Sequence, residues 1–105
     1  MSRRIVALGG TIRPGSSTEL ALAVAAEAAR DEGAEVTTFD GAYMACLPHY
    51  RGPEWTAEKG AEMIEAVRNA DGVLLASPGY HGTVSGMVKN AIDYLEELAN
   101  DKRPY

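Results

Sequence analysis

Short apolar runs alternate with stretches of helical periodicity along this chain. Residues 5–8 form a continuous apolar run between Arg4 and Gly9, which predicts a central strand buried on both faces. Residues 35–39 alternate between polar and apolar positions and predict a more exposed strand at a sheet edge. Residues 72–76 are apolar again and predict a third strand of the buried, parallel type.

The interval between the first two strands is predicted to be one long helix. Over residues 17–32, the apolar positions Leu20, Val24 and Ala28 recur at helical spacing, and we expect this face to pack against the sheet. Gly33 follows as a C-terminal cap. The first third of the chain therefore indicates a β-α-β unit with a right-handed crossover.

The interval between the second and third strands divides into two parts. Residues 40–56 contain prolines and several aromatic residues and predict a long irregular connection. Such a segment either covers a ligand or a partner chain, or is simply a packed loop. Residues 57–70 predict a helix, and another is expected to begin near Ser85. Strands that alternate with helices in this way indicate an α/β fold with a parallel sheet.

Length and charge narrow the classes of protein that remain. The chain has 105 residues, which predicts a single domain over residues 1–105. Its formal net charge of −5 disfavours nucleic acid and anionic membranes as partners. The first apolar run ends at Gly9, too early for a secretory leader or a membrane span. Cys46 is the single cysteine, which fits a reducing, cytoplasmic location, and neither histidine has neighbours at metal-ligand spacing.

Glycines and hydroxyl residues follow the first strand, between residues 9 and 18. A strand, a glycine-rich turn and a helix N-terminus together form an anion site, because the first N–H groups of a helix have no partner within it. Side chains suited to a phosphate monoester are Thr11, Arg13, Ser16, Ser17 and Thr18. The spacing fits neither the lysine-containing Walker A loop nor the dinucleotide-binding glycine pattern. The structural alternative is that Ser17 or Thr18 simply caps the helix.

A second group of glycines follows the third strand. Gly79, Gly82 and Gly86 would allow the backbone to approach a flat ligand closely. Tyr80 and His81 lie between them and can stack on a ring or contact its edge. Because both turns follow strands of one parallel sheet, we expect them to meet at one crevice.

Both turns resemble motifs of the NADPH-dependent FMN reductase family, which has a flavodoxin-like fold. In the first pattern, G-S-x-R-x-x-S-x-N, Gly10, Arg13 and Ser16 match, while Thr11 and Thr18 replace a serine and an asparagine. The second pattern is [ST]-P-E-Y-N-G-[ST]-x-P-G-x-[LM]-K-N-x-[IL]-D-W. Its matches here are Ser77, Pro78, Tyr80, Gly82, Thr83, Gly86, Lys89, Asn90 and Asp93.

The resemblance implies an FMN-binding oxidoreductase that uses NADPH or NADH and passes electrons to a flavin, a quinone or a similar small acceptor. No catalytic side chain is required, because the flavin carries the chemistry. The phosphate contacts implied are Thr11, Arg13, Ser16, Ser17 and Thr18. The ring contacts implied are Pro78, Gly79, Tyr80, His81 and Gly82. Gly79 replaces a usual acidic residue, and His81 replaces a usual asparagine and adds a titratable ring.

The resemblance also implies a three-layer, flavodoxin-like parallel sheet with strand order 2-1-3, truncated after the third strand and its helix. A family member would continue into further strands, so the third strand is expected to be an exposed apolar edge. An N-terminal fragment, a homo-oligomer and a natural minimal form each explain this, and we expect one of the first two. The alternative function is a non-catalytic FMN-binding module that needs a further segment or partner.

Overall fold

The computed structural model describes residues 2–56, 58 and 60–101 of the chain. The strands in this part are β1 (Arg4–Gly9), β2 (Glu35–Phe39) and β3 (Gly72–Ala76). The α-helices in this part are α1 (Ser17–Asp31), α2 (Gly41–Ala45), α3 (Pro53–Thr56), α4 (Ala61–Arg68) and α5 (Gly86–Tyr94). Short 3-10 turns cover Tyr80–Gly82 and Leu95–Leu98.

The three strands form one parallel sheet in the order β2-β1-β3. Leu8 of the central strand pairs with Phe39 on one side and with Leu75 on the other. Residues 6–9 of β1 are buried. A neighbouring strand covers each edge of β1, and helices cover each face. This order confirms the predicted flavodoxin-like arrangement.

Side chains that alternate along β1 divide the molecule into three layers. Val6 and Leu8 point into the main hydrophobic core, which they share with residues of α2, α4 and α5. Ala7 points to the opposite face, where α1 packs against the strands. The carboxyl ends of β1 and β3 therefore open between the two helical layers.

The helix α1 packs against the sheet through a different face from the one predicted. Leu22 and Ala26 are buried, whereas Leu20 and Val24 are 59% and 70% exposed. Both faces of this helix are apolar, so periodicity could not identify the buried one. The small side chain of Ala7 lets α1 approach β1 closely, and a narrow buried stripe is sufficient there.

The segment between β2 and β3 also differs from the prediction. Residues 40–56, predicted to be irregular, contain α2 and α3, and Asp40 caps α2 by accepting a hydrogen bond from the Tyr43 N–H at 3.0 Å. The predicted helix 57–70 corresponds to α4 but begins at Ala61. Gly60, directly before it, has a φ of +85°, which lies in the left-handed region and not in that of a right-handed helix. The predicted start at Ala57 lies outside the described residues.

β3 is parallel, as its apolar run predicts, but none of its residues is buried, because it lies at the edge of the described sheet, as the family resemblance implies. Val73 and Leu75 are 44% and 49% exposed, on the same face as Leu8. A groove of about 560 Å³ lies beside them, and Ile92 and Leu95 contribute to its other wall. The groove is lined mainly by apolar side chains and lies away from both glycine-rich turns.

Candidate functional site

The two glycine-rich turns lie side by side at the carboxyl ends of β1 and β3. Because these strands are parallel neighbours, the loops that follow them leave the sheet at the same edge. A cleft of about 370 Å³ separates the loops, within the ~300–1,000 Å³ usual for small-molecule sites. Its lining consists of Gly10, Thr11, Ile12, Arg13, Pro78, Tyr80, Ser85, Gly86 and Met87.

Two glycines hold the first loop against the end of β3. Gly9 has a φ of +150°, and a Cβ there would lie 2.2 Å from the carbonyl oxygen of Ala76. The N–H of Gly10 donates a hydrogen bond to the same carbonyl at 3.2 Å. A side chain at position 9 would push the loop away from β3, so this glycine sets the spacing between the two loops.

The first loop turns at Thr11 and presents Arg13 to the solvent. Thr11 Oγ1 accepts a hydrogen bond from the Arg13 N–H at 3.2 Å, and its hydroxyl donates to the Arg13 carbonyl at 3.0 Å. Arg13 is exposed, and the ion pairs found among the described residues do not include it. Its guanidinium is therefore available to an anion in the cleft.

Ser16 is the N-cap of α1. Its Oγ accepts a hydrogen bond from the Glu19 N–H at 3.2 Å, and its backbone is extended. The predicted cap at Ser17 or Thr18 is therefore one or two residues too late. The hydroxyl of Ser16 can still donate a hydrogen bond to a ligand. Ser17 and Thr18 follow in the first turn of α1, where backbone N–H groups have no partner within the helix.

The second loop is closed by the hydroxyl of Ser77. Ser77 Oγ accepts a hydrogen bond from the Ser85 N–H at 2.8 Å and donates to the Pro78 carbonyl at 2.8 Å. Ser85 in turn caps α5 by accepting from the Val88 N–H at 3.3 Å. Between these two serines, His81 has a φ of +52°, a left-handed conformation that costs a residue with a Cβ about 1–2 kcal/mol.

The cleft contains some of the residues predicted for it, and others lie beside it. Predicted residues that line it are Thr11, Arg13, Pro78 and Tyr80. Predicted residues outside the lining are Ser16, Ser17, Thr18, Gly79, His81 and Gly82. Ile12 and Met87 line the cleft without being predicted, although Ile12 stands between two predicted residues. The sequence signal for Ile12 is an apolar residue within a polar loop, and the structure leaves it 69% exposed.

Several residues of the second motif have structural partners away from the cleft. Asn90 accepts a hydrogen bond from the Tyr50 N–H at 2.8 Å and donates to the Pro48 carbonyl at 3.1 Å. The Tyr94 hydroxyl donates to the same carbonyl at 2.6 Å, and burial raises the pKa of this phenol. Lys89 and Asp93 form an exposed ion pair at 2.6 Å along α5.

The connection around Pro48 is therefore a packed segment that is tied to α5. Leu47 is buried in the core, which supports the packed-loop alternative for this part of the chain. His49 is exposed and lines a separate cleft of about 650 Å³, which shares Gly86 and Met87 with the first. Leu47 thus packs this segment into the core, while His49 on the same segment faces an open cleft.

The first cleft has two chemically different ends. Thr11 and Arg13 line one end, and the hydroxyls and free N–H groups at the N-terminus of α1 lie beside it, so this end is suited to an anion. Pro78, Tyr80 and Met87 give the other end apolar and aromatic surface for a flat group. In the described part of the chain, no three His, Cys, Asp or Glu side chains form a metal-binding group. No helix there is long and apolar enough to span a membrane.

Parts of the chain are similar to two reductases. The chain is 42% identical over 53 residues to an NADPH azoreductase from Bacillus sp. (strain OY1-2), covering 47% of this chain and 29% of the relative. It is 47% identical over 36 residues to a quinone reductase from Escherichia coli (strain K12), covering 34% of this chain and 19% of that relative. These matches span less than a third of either relative. No solved structure gives a significant match.

The family comparison covers nearly the whole sequence. The model of the NADPH-dependent FMN reductase family matches residues 3–105, which include both glycine-rich turns and all three strands. The cofactors of this family are FMN and NAD(P)H. The chain belongs to the NADPH-dependent FMN reductase family.

Proposed function

We propose that the chain binds FMN in the cleft between the two loops and acts as an NAD(P)H-dependent oxidoreductase on a small acceptor such as a flavin or a quinone. The observation that carries this proposal is that the two loops of the family's motifs line one cleft. The names of the two relatives, an azoreductase and a quinone reductase, support a small organic acceptor.

The first loop would hold the cofactor's phosphate. Arg13 supplies the positive charge in the lining of the cleft, whereas the chain as a whole carries a net charge of −5. Ser16, Ser17 and Thr18 supply hydroxyls at the N-terminus of α1, where the helix dipole favours an anion. Thr11 fixes the turn that brings Arg13 to the cleft.

The second loop would hold the flavin ring. Pro78 and Tyr80 provide apolar surface in the cleft, and the 3-10 turn Tyr80–Gly82 exposes backbone beside it. A Cβ at Gly79 or Gly82 would meet no neighbouring atom within 4 Å, so a ring could approach the backbone from that side. His81 would lie at the edge of the ring.

The family's flavin, when bound, accepts a hydride from a nicotinamide and passes the electrons on to the acceptor. The chain's own residues would bind and orient the flavin, and none is required as a general acid or base. We therefore propose no catalytic side chain. A cytoplasmic location also belongs to the proposal, supported by the single cysteine.

A homo-oligomer is the form in which we expect the domain to act. Val73 and Leu75 on the open edge of β3, with the apolar groove beside them, leave surface that a second copy could cover. The same observation supports the second candidate, a module that binds FMN but needs another chain or segment for turnover. The two candidates differ in NADPH oxidation, because only the first predicts it for the 105-residue chain.

The first experiment is a titration of the purified chain with FMN and with riboflavin, followed by flavin absorbance and fluorescence. Arg13→Ala should weaken FMN binding by about 1.5–3 kcal/mol, the range for a hydrogen bond to a charged group, and leave riboflavin binding unchanged. Arg3→Ala is the matched control, because it removes the same charge from an exposed position outside the cleft.

The outcomes separate the candidates. FMN binding with NADPH oxidation supports the reductase, and FMN binding without oxidation supports the module. If the wild-type chain binds no flavin, the proposed function is wrong for this chain. If Arg13→Ala and Arg3→Ala bind FMN equally well, Arg13 does not contact the phosphate.

A further inference from the structure

The far side of the first loop rests directly on the backbone of another element. Gly41, the first residue of α2, is buried against Thr11. A Cβ at Gly41 would lie 1.8 Å from the Thr11 carbonyl oxygen and 2.5 Å from its carbonyl carbon. The backbone of Gly41 does not have a positive φ, so space alone, and not conformation, requires glycine here.

A carboxylate of α1 completes this contact. Glu19 Oε2 accepts a hydrogen bond from the Gly41 N–H at 3.4 Å. The same side chain fills the space beside Gly10, where a Cβ would lie 2.8 Å from Glu19 Cγ. Glu19 therefore lies against Gly10, which precedes Thr11 in the chain, and against Gly41, which packs on Thr11. It does so from the first turn of the helix that Ser16 caps.

The helix α2 has little freedom to move away from the loop. Asp40 caps it, and Met44 is 1% exposed in the hydrophobic core. The rings of Tyr43 and Phe39 pack at a centroid distance of 4.8 Å, which ties α2 to the end of β2. A displacement at position 41 is thus expected to move the Thr11 loop rather than the helix.

We propose that Gly41 and Glu19 are positioning residues, which set the Thr11–Arg13 turn for the cofactor's phosphate and so determine the preference for FMN over riboflavin. This inference rests on the proposed FMN site. Neither residue needs to contact the cofactor. Gly41 acts through the Thr11 carbonyl, and Glu19 acts through the Gly41 N–H and Gly10.

The test compares the affinities of variants of the 105-residue chain for FMN and for riboflavin, which lacks the phosphate. Gly41→Ala should raise the Kd for FMN by about tenfold or more, equivalent to about 1.4 kcal/mol, because the phosphate end moves. The Kd for riboflavin should stay within about twofold of the wild type, a difference of only ~0.4 kcal/mol. Ala42→Gly is the matched control, since it destabilises α2 by about 1 kcal/mol at an exposed position without approaching Thr11.

A second pair of variants decides the question if Gly41→Ala does not fold. Glu19→Ala removes both contacts, whereas Glu19→Gln keeps the shape and the acceptor oxygen but loses the charge. A positioning role predicts weaker FMN binding for Glu19→Ala and near wild-type binding for Glu19→Gln. A purely electrostatic effect of Glu19 on the phosphate would shift both variants equally.

The results are distinguishable from a failure of the proposed function, which would appear as absent FMN binding in the wild type. Given wild-type binding, a selective loss for FMN in Gly41→Ala and rescue by Glu19→Gln support the inference. Wild-type FMN affinity in Gly41→Ala, an equal loss of riboflavin, or an equal loss in Ala42→Gly would overturn it.

Discussion

A single methyl group at Gly9 is the sharpest test of how the two loops are held together. In Gly9→Ala the new Cβ would lie 2.2 Å from the Ala76 carbonyl oxygen and 2.8 Å from the Ala76 nitrogen. These are backbone atoms of β3, which is hydrogen-bonded to β1 in the same sheet. Relief therefore requires β1 and β3 to separate at their carboxyl ends.

The expected loss of stability has two parts. Overpacking against fixed atoms typically costs about 1–3 kcal/mol. The φ of +150° is a conformation that residues with a Cβ rarely adopt, and its cost is of the order of 1–3 kcal/mol. Gly33→Ala carries only the second part, because Gly33 has a φ of +95° and no atom within 4 Å of a built Cβ.

The assay is urea denaturation of the wild type and both variants. Replacing glycine by alanine also restricts the unfolded chain, but this effect is common to the two variants and cancels between them. We expect the free energy of unfolding of Gly9→Ala to lie below that of Gly33→Ala by about 1–3 kcal/mol. Equal losses in the two variants would show that the contact with Ala76 is not tight, and would refute the argument for loop spacing.

Two further predictions concern the tied segment and the open edge. Tyr94→Phe leaves the Pro48 carbonyl its bond from Asn90, so the free energy of unfolding near neutral pH should fall by only about 0.5–1.5 kcal/mol. Burial raises the pKa of folded Tyr94 above its ordinary value of 10.0, so the free energy of unfolding of the wild type should fall as the pH rises past that value. The fall should be smaller in Tyr94→Phe, and an equal dependence on pH in the two proteins would contradict this. Leu75→Lys should lower the mass measured by light scattering if β3 forms the proposed oligomer, while Leu20→Lys on exposed α1 should not; unchanged masses in both would remove β3 from the interface.

The sheet could be predicted from the sequence because its signals are local. The continuous apolar run of β1 and the alternating pattern of β2 each identify a strand and its position in the sheet. The buried face of α1 could not be predicted in this way. Leu20 and Val24 are as apolar as Leu22 and Ala26, and the choice between the two faces depends on what the sheet presents opposite them.

Some residues of the candidate site could likewise be predicted from the sequence, and others could not. Glycines, hydroxyls and Arg13 could be identified because their residue types carry the chemistry of an anion site, and the parallel sheet brings both loops to one edge. Met87 contributes a side chain from α5, where its spacing is that of any helical residue, so nothing in the sequence distinguishes it. The role of Asn90 was also hidden, because its partners lie around Pro48, far along the chain.

The glycines show why composition alone cannot define the loop. Gly9, Gly15 and Gly41 look alike in sequence, yet they meet different constraints in the fold. Gly15 needs a positive φ but has open space around it, Gly41 needs only space, and Gly9 needs both. A loop built from such contacts is positioned by backbone atoms of β3 and α2 as well as by the Thr11 hydroxyl. Its affinity for a phosphate should therefore respond to a methyl group at position 41 as strongly as to the loss of a hydroxyl in the loop itself.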